Sequence, residues 1–552
     1  MNPLASTKCA GRLLMALAAF TSILLIAGCG NSSSTSTNPE GFTNASLTGT
    51  YVISMSGTDI NSSDDIVPFA IVGTITSTGN GTLTGTIDID DPGNIGVVPG
   101  VVISSSSNSA YSVGKDGRGT GTLNVTINST AVSFGIDFVL TTTSHGLISR
   151  FDGFGTGSGT MDLQTSVTGL TGSYAFSLSG ADSSGAPLAT VGAFTIAGNG
   201  GLTGTQDFND NNSSNQLTDL SVTGALTFGT PATLTLTTTA GQLGFDAWVI
   251  DSTHLKFIET DLGGNVLSGD AFTQATTFPA GQVVFTVGGQ DEGLNPVAAG
   301  GYATAASNGT LSSGVEDWNN SINNGNVPSF GGSCTTFVAG RCQLATTAFT
   351  NGRSGNLTFA AYPFSSDGSN GVLLLEDDSL GLALGAALAQ SATSFTASGG
   401  YGLNLSGLNN LQNTSTGVGE VDNIAQFVPT SAASPATNMT GNLDENDIGA
   451  PQPTSTLTGT YTPDSSADGR GSISATNSNT LFGGFNLQYY VVDSATVLFI
   501  DVDSETLDGG AYQVALGAFE GQNSGASATA AHRAISMLHQ IVRLHGAMRH
   551  KK

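Results

Sequence analysis

Large apolar residues stand at every second position in short runs along most of this chain. The clearest are Tyr51-Val52-Ile53-Ser54-Met55-Ser56-Gly57, Tyr174-Ala175-Phe176-Ser177-Leu178-Ser179-Gly180 and Tyr401-Gly402-Leu403-Asn404-Leu405-Ser406-Gly407, with a weaker version at Val283-Val284-Phe285-Thr286-Val287-Gly288-Gly289. A period of two places the apolar side chains on one face of a β-strand and the intervening residues on the other. The starts at 51, 174, 283 and 401 lie 109 to 123 residues apart. That exceeds the ~20–50 residues of common solenoid repeats, so each copy reads as a small domain. Within a copy the strands are joined by Gly-rich turns such as Gly79-Asn80-Gly81 and end in a closing hairpin such as Trp248 to Glu259 or Tyr490 to Asp501. About eight strands per copy predict an antiparallel meander that closes into a barrel or packs as a sandwich. The predicted fold is all-β: four tandem antiparallel domains, with no βαβ pattern.

One polar pattern returns in all four copies. G-N-G-T-L-T-G-T-I-D-I-D-D ends at Asp91, G-N-G-G-L-T-G-T-Q-D-F-N-D at Asp210, N-G-T-L-S-S-G-V-E-D-W-N-N at Asn320, and G-N-L-D-E-N-D at Asp447. The shared trios are Asp88, Asp90, Asp91; Asp207, Asn209, Asp210; Asp317, Asn319, Asn320; and Asp444, Asn446, Asp447. Oxygen-rich turns of this kind suit Ca²⁺, which takes six to eight oxygen ligands. Asp and Asn also make good turns unaided, because their side chains bond nearby amides. Ca²⁺ is the one cofactor the pattern could use; no other is implied.

Composition agrees with many turns and little helix: 76 glycines and only 10% charged residues in 552. The net charge of −27 is unevenly spread. Lys8 and Arg12 precede residue 30, and five basic residues follow residue 530, leaving seven in the body against all 41 acids. Such a body cannot release phosphate counterions, so nucleic acid is excluded as its partner.

The ends differ from the body. Lys8 and Arg12 precede an apolar stretch from Leu13 to Ile26, too short for the roughly 20 residues of a membrane span, and it ends Leu25-Ile26-Ala27-Gly28-Cys29. This resembles the lipobox of bacterial lipoproteins. The resemblance covers residues 1–29 only and implies cleavage before Cys29 and lipidation there, which would hold the protein to a membrane through its N-terminal lipid. Gly30, in place of the aspartate often tied to inner-membrane retention, implies an outer-membrane lipoprotein, facing the periplasm or the outside. Residues 30–46 read as a flexible tether. The domains are expected at 47–167, 168–277, 278–393 and 394–516, followed by a linker at 517–530. Residues 531–552 have the spacing of a basic amphipathic helix, which suggests weak membrane contact.

Catalytic signals are sparse. Four of the six histidines lie after residue 530; His145 and His254 fall at closing-hairpin turns and are expected to be exposed. No nucleophile elbow, H-E-x-x-H or phosphate loop occurs. Cys334 and Cys342, the only body cysteines, are expected to pair as a disulfide in an exported protein. The expected role is therefore structural, adhesive or ligand-binding at the cell surface, toward a glycan or protein. The alternatives are a glycan hydrolase working through carboxylates and a binder of a small apolar ligand inside each barrel.

Overall fold

The computed structural model describes residues 41–523, apart from 166–169, 211–214, 263, 339, 354, 367–368, 396–398, 411–417, 431–437 and 479–483. Cys29, the tether up to residue 40 and residues 524–552, with the basic tail, lie outside the described residues.

The apolar alternation resolves into four antiparallel meanders. Copies 2, 3 and 4 are closed eight-stranded barrels, while copy 1 is a nine-stranded sheet. In every copy the first strand pairs with both the second and the last. Tyr174, for example, lies opposite Phe194 on one side and Thr273 on the other. The outermost strands of copy 1 do not pair with each other, but the turn at Thr82 bridges to Ala110, so this sheet also curls around one core. We call the four units barrels 1 to 4.

Each barrel holds its own apolar interior. A residue just before the first strand plugs it: Phe42 in barrel 1, Leu170 in barrel 2, Phe278 in barrel 3 and Phe395 in barrel 4. Phe395 meets Tyr401, Tyr489 and Phe519 edge-on and Tyr461 at a tilt, with ring centroids 5.0 to 5.7 Å apart. The tyrosine that opens three of the four first strands has a second task. Tyr51, Tyr174 and Tyr401 donate to the carbonyls of Thr143, Ser252 and Ser494 at 2.6, 2.7 and 3.1 Å, tying the first strand to the closing hairpin turn. Copy 3, with Val283 in that place, lacks this tie.

The outward faces of the strands are buried as well. One cluster joins Ala175, Val191 and Phe272 of barrel 2 to Tyr362, Leu373 and Leu384 of barrel 3 and to Tyr490, Leu498 and Leu516 of barrel 4. Another joins Val52 and Val72 of barrel 1 to Trp248, Ile258 and Val266 of barrel 2. A third joins Val139 and Leu147 of barrel 1 to Ile424 of barrel 4. Each barrel therefore packs on the next, and the fourth packs back on the first. The described residues fall within one compact unit.

Two spans differ from expectation. Phe42 is fully buried and Asn44–Ser46 form a 3₁₀ turn, so the last residues of the expected tether belong to barrel 1. Residues 517–521, expected as linker, complete the closing strand Gln513–Gly521 of barrel 4. Beyond it Gln522 Nε2 donates to the Asp116 and Leu140 carbonyls of barrel 1 at 2.7 and 2.9 Å. In the first case the partners belong to barrel 1 itself, where Asn44 bonds Tyr111 and Val113; in the second, Gln522 reaches a neighbouring barrel.

Candidate functional site: the junctions between barrels

The repeated acidic run is not a turn. It forms the strands Thr84–Asp91, Gly201–Asp210, Leu311–Asn319 and Met439–Asp447. The shared glycine permits close strand pairing: a Cβ at Gly204 would stand 1.9 Å from the Ala193 carbonyl oxygen, and one at Gly441 2.0 Å from that of Gln426. Three residues on, the aspartate is aimed across a junction.

Asp207 of barrel 2 accepts from Arg341 of barrel 3, whose Nε and Nη2 reach both carboxylate oxygens at 2.6 to 3.1 Å, and from the Tyr362 hydroxyl. Asp317 of barrel 3 accepts from Arg470 of barrel 4 at 2.6 and 2.7 Å and from the Tyr490 hydroxyl at 2.7 Å. Asp444 of barrel 4 accepts from Arg118 of barrel 1 at 2.8 Å. Asp88 of barrel 1 accepts from Trp248 Nε1 of barrel 2 at 2.6 Å. Fork-shaped arginine pairs of this kind are strong and directional.

The middle residue does a second job. Asn209 Nδ2 donates to the Glu376 and Gly381 carbonyls of barrel 3, both at 2.8 Å. Asn319 Nδ2 reaches the Asp501, Asp503 and Gln513 carbonyls of barrel 4 at 2.9 to 3.0 Å. Asn446 Nδ2 reaches the Arg150 and Gly155 carbonyls of barrel 1 at 3.0 and 2.8 Å. Asp90, in the same place in barrel 1, has no hydrogen-bond partner on either oxygen. Turn hydrogen bonds come mainly from the third position, where Asp91 and Asn320 accept from the Asn94 and Asn323 amides at 3.1 and 2.9 Å, and Asn319 Oδ1 adds one from the Ser321 amide at 2.9 Å. Asp210 is half-buried, and Asp447 is buried with its carboxyl pushed up to about 7 by desolvation. Among the described residues no group of three His, Cys, Asp or Glu side chains is arranged to hold a metal ion.

Both body histidines, expected on exposed turns, are fully buried. His145 Nδ1 lies 2.7 Å from Asp162, and its Nε2 lies 3.2 Å from Glu520 of barrel 4. Burial alone would lower the imidazole, but the Glu520 and Asp162 carboxylates push it up to about 10. His254 Nε2 lies 2.6 Å from Asp270. Lys256, fully buried in barrel 2, joins the two groups: its Nζ is 3.1 Å from Asp270, 3.4 Å from Asp162 and 2.8 Å from Thr160 Oγ1. Burial works against an ionised Asp162, yet His145 and Lys256 hold it below the usual carboxylate range. Sequence reasoning missed this network. The available signal was Lys256 standing between the apolar Leu255 and Phe257 in the strand His254–Glu259.

Cys334 and Cys342 form a disulfide between the strands Asn324–Val338 and Arg341–Thr347. Inside barrel 3 the free space is about 40 Å³, bounded by apolar side chains. That is well short of the ~300 Å³ at which ligand pockets begin. A larger cleft of about 270 Å³ opens in barrel 2, lined by Leu188, Gln206, Phe208, Leu217 and Leu243 among others.

No family model matches this chain, and no curated protein does. Among solved structures, a double mutant of transferrin binding protein B from Haemophilus parasuis superposes at a TM-score of 0.20 with 10% identity, covering 69% of this chain and 84% of that one. Transferrin binding protein B from Neisseria meningitidis gives 0.22 and 10%, covering 69% and 85%. These scores lie far below those of a shared fold, and the architecture described above rests on this chain's own strand ladders.

Proposed function

We propose that this chain is a lipid-anchored cell-envelope protein whose linked barrels form a rigid scaffold for binding a ligand at the surface. The observation that carries this reading is how the charged groups are used. Six of the seven basic residues of the body, all but Lys115, make ion pairs, and four of these pairs cross a junction. Asp90, Glu259 and Glu376, whose affinity for protons is raised, are buried in the body and not in the open cleft a glycan hydrolase would need. Chemistry held this far from solvent serves assembly, which leaves the loops and the cleft of barrel 2 to meet a ligand. The lipobox at Cys29 supports the envelope location, and the acidic body fits a protein or glycan partner rather than nucleic acid. Two measurements test the reading. Cys29→Ala should leave the precursor unlipidated and out of the outer-membrane fraction. The purified protein, screened against glycan and matrix-protein arrays, should bind a defined set. Wild-type fractionation of the variant would remove the anchor, and silence on every array would remove the binding role.

A further inference from the structure

The four junctions repeat one design, and one of them breaks it. In three, an asparagine amide on the acidic strand donates to main-chain carbonyls of the next barrel, at Glu376, Asp501 and Arg150 among others. The register makes Glu259 the counterpart of these residues in barrel 2. Each lies five residues past the one that faces the closing strand: His254 opposite Phe272, Gly371 opposite Leu388, Thr496 opposite Glu520 and His145 opposite Asp162. The side chain sent toward Glu259 is Asp90, an acid where the others have an amide. It is 1% exposed, and neither oxygen has a hydrogen-bond partner. An ionised carboxylate there would face carbonyl oxygens with nothing to donate, and would be a buried, unpaired charge.

We propose that Asp90 holds a proton and serves as a hydrogen-bond donor in place of asparagine, so that the seam between barrels 1 and 2 closes by binding a proton.

The surroundings favour the neutral acid. The charged groups facing Asp90 are Asp91 on its own strand and Asp261 and Glu259 across the seam, all acidic. Its flanking strands Ile66–Thr78 and Gly96–Ile103 carry no ionisable side chain. Burial, then Asp91 and Asp261, push Asp90 up to about 8; burial, then Asp261 and Asp90, push Glu259 up to about 9. The seam also lacks the arginine that the other three junctions aim at the preceding aspartate. Trp248 takes that role, with Asp246 beside Asp88 pushed up to about 6 by burial and then by Asp88. A carboxyl whose folded pKa is raised contributes stability that is fully present below its unfolded value of about 4 and is lost as pH rises toward about 8.

The test is Asp90→Asn in the full chain, with Asp90→Ala beside it, followed by denaturant unfolding from pH 5 to pH 9. The Asn variant keeps the donor at every pH. Its lead over wild type should be smallest at pH 5, widen up to about pH 8 and then stay constant. The Ala variant should lie below the Asn variant throughout. Infrared difference spectra at pH 7 should show wild type losing a protonated-carboxyl band on conversion to Asn. An Asn variant that is destabilised, fails to fold or differs from wild type by a pH-independent amount overturns the proposal. So does a wild-type midpoint that falls on adding a divalent-cation chelator, because a metal ion would then occupy the place given to the proton.

Discussion

The junction between barrels 3 and 4 and the junction between barrels 1 and 2 are built from the same strand with different side chains. In the first, Asp317 is gripped by Arg470 and Tyr490, and Asn319 lies within reach of three carbonyls. In the second, Asp88 has Trp248 and a neighbouring acid, and Asp90 has no partner. Both junctions bury apolar surface around these groups. The contrast teaches that the repeated motif encodes a connector, and that its strength is set by what the next copy supplies.

Removing the aspartates should show the largest difference. Asp207→Ala strands the buried Arg341 and the Tyr362 hydroxyl and should cost about 3–5 kcal/mol; Asp317→Ala strands the Tyr490 hydroxyl and leaves the half-buried Arg470 to Asp464, and should cost about 3 kcal/mol. Asp88→Ala strands an indole N–H, returns the exposed Gly100 amide to water and relieves Asp246, and should cost about 1–2 kcal/mol. Denaturant midpoints of the full chain measure all three, and equal losses would erase the contrast.

Titration comes next. Asp90 and Glu259 in the seam between barrels 1 and 2, with Asp137 pushed up to about 8 mainly by burial, bind protons in the folded chain that the unfolded chain releases above about pH 4. His145, up to about 10, contributes stability that is fully present below about 6.5 and lost toward its folded value. Both effects have the same sign, so the midpoint should fall as pH rises from 5 to 9. A flat or rising midpoint would mean that these carboxyls are ionised in the fold.

The smallest effect is expected from Asn319→Ala, which removes one amide donor shared among three carbonyls, of which Asp503 keeps the Gln513 amide, and should cost about 0.5–1 kcal/mol. Asn319→Asp should cost more at pH 9 than at pH 5, reproducing at this junction what Asp90 does at the other. Unfolding of both variants at the two pH values checks this, and a pH-independent Asp variant would break the analogy.

Much of the fold was legible because alternation reports which strand face is apolar, and Tyr51, Tyr174 and Tyr401 marked the first strand of three copies. The disulfide was legible from two cysteines in an exported chain. The junctions were not, because alternation says nothing about whether the polar face meets water or another barrel. Asp207, Asn209 and His254 therefore read as turn residues. The exchange of Asp for Asn in three copies looked like tolerance for a cation; in the fold it marks the need for an N–H donor. The arginines of the D-G-R-G runs at Arg118 and Arg470 were visible, but their partners lie 326 and 153 residues away. Pairs so distant follow from the closure of four barrels on one another, which no local pattern carries.

The central claim is that these barrels are one body joined through their acidic strands, and scanning calorimetry of the full chain tests it most directly. The account predicts that the barrels unfold in a single cooperative transition whose van't Hoff and calorimetric enthalpies agree, and that Asp207→Ala shifts the whole transition downward. Separate transitions for individual barrels, with Asp207→Ala moving only one of them, would contradict it.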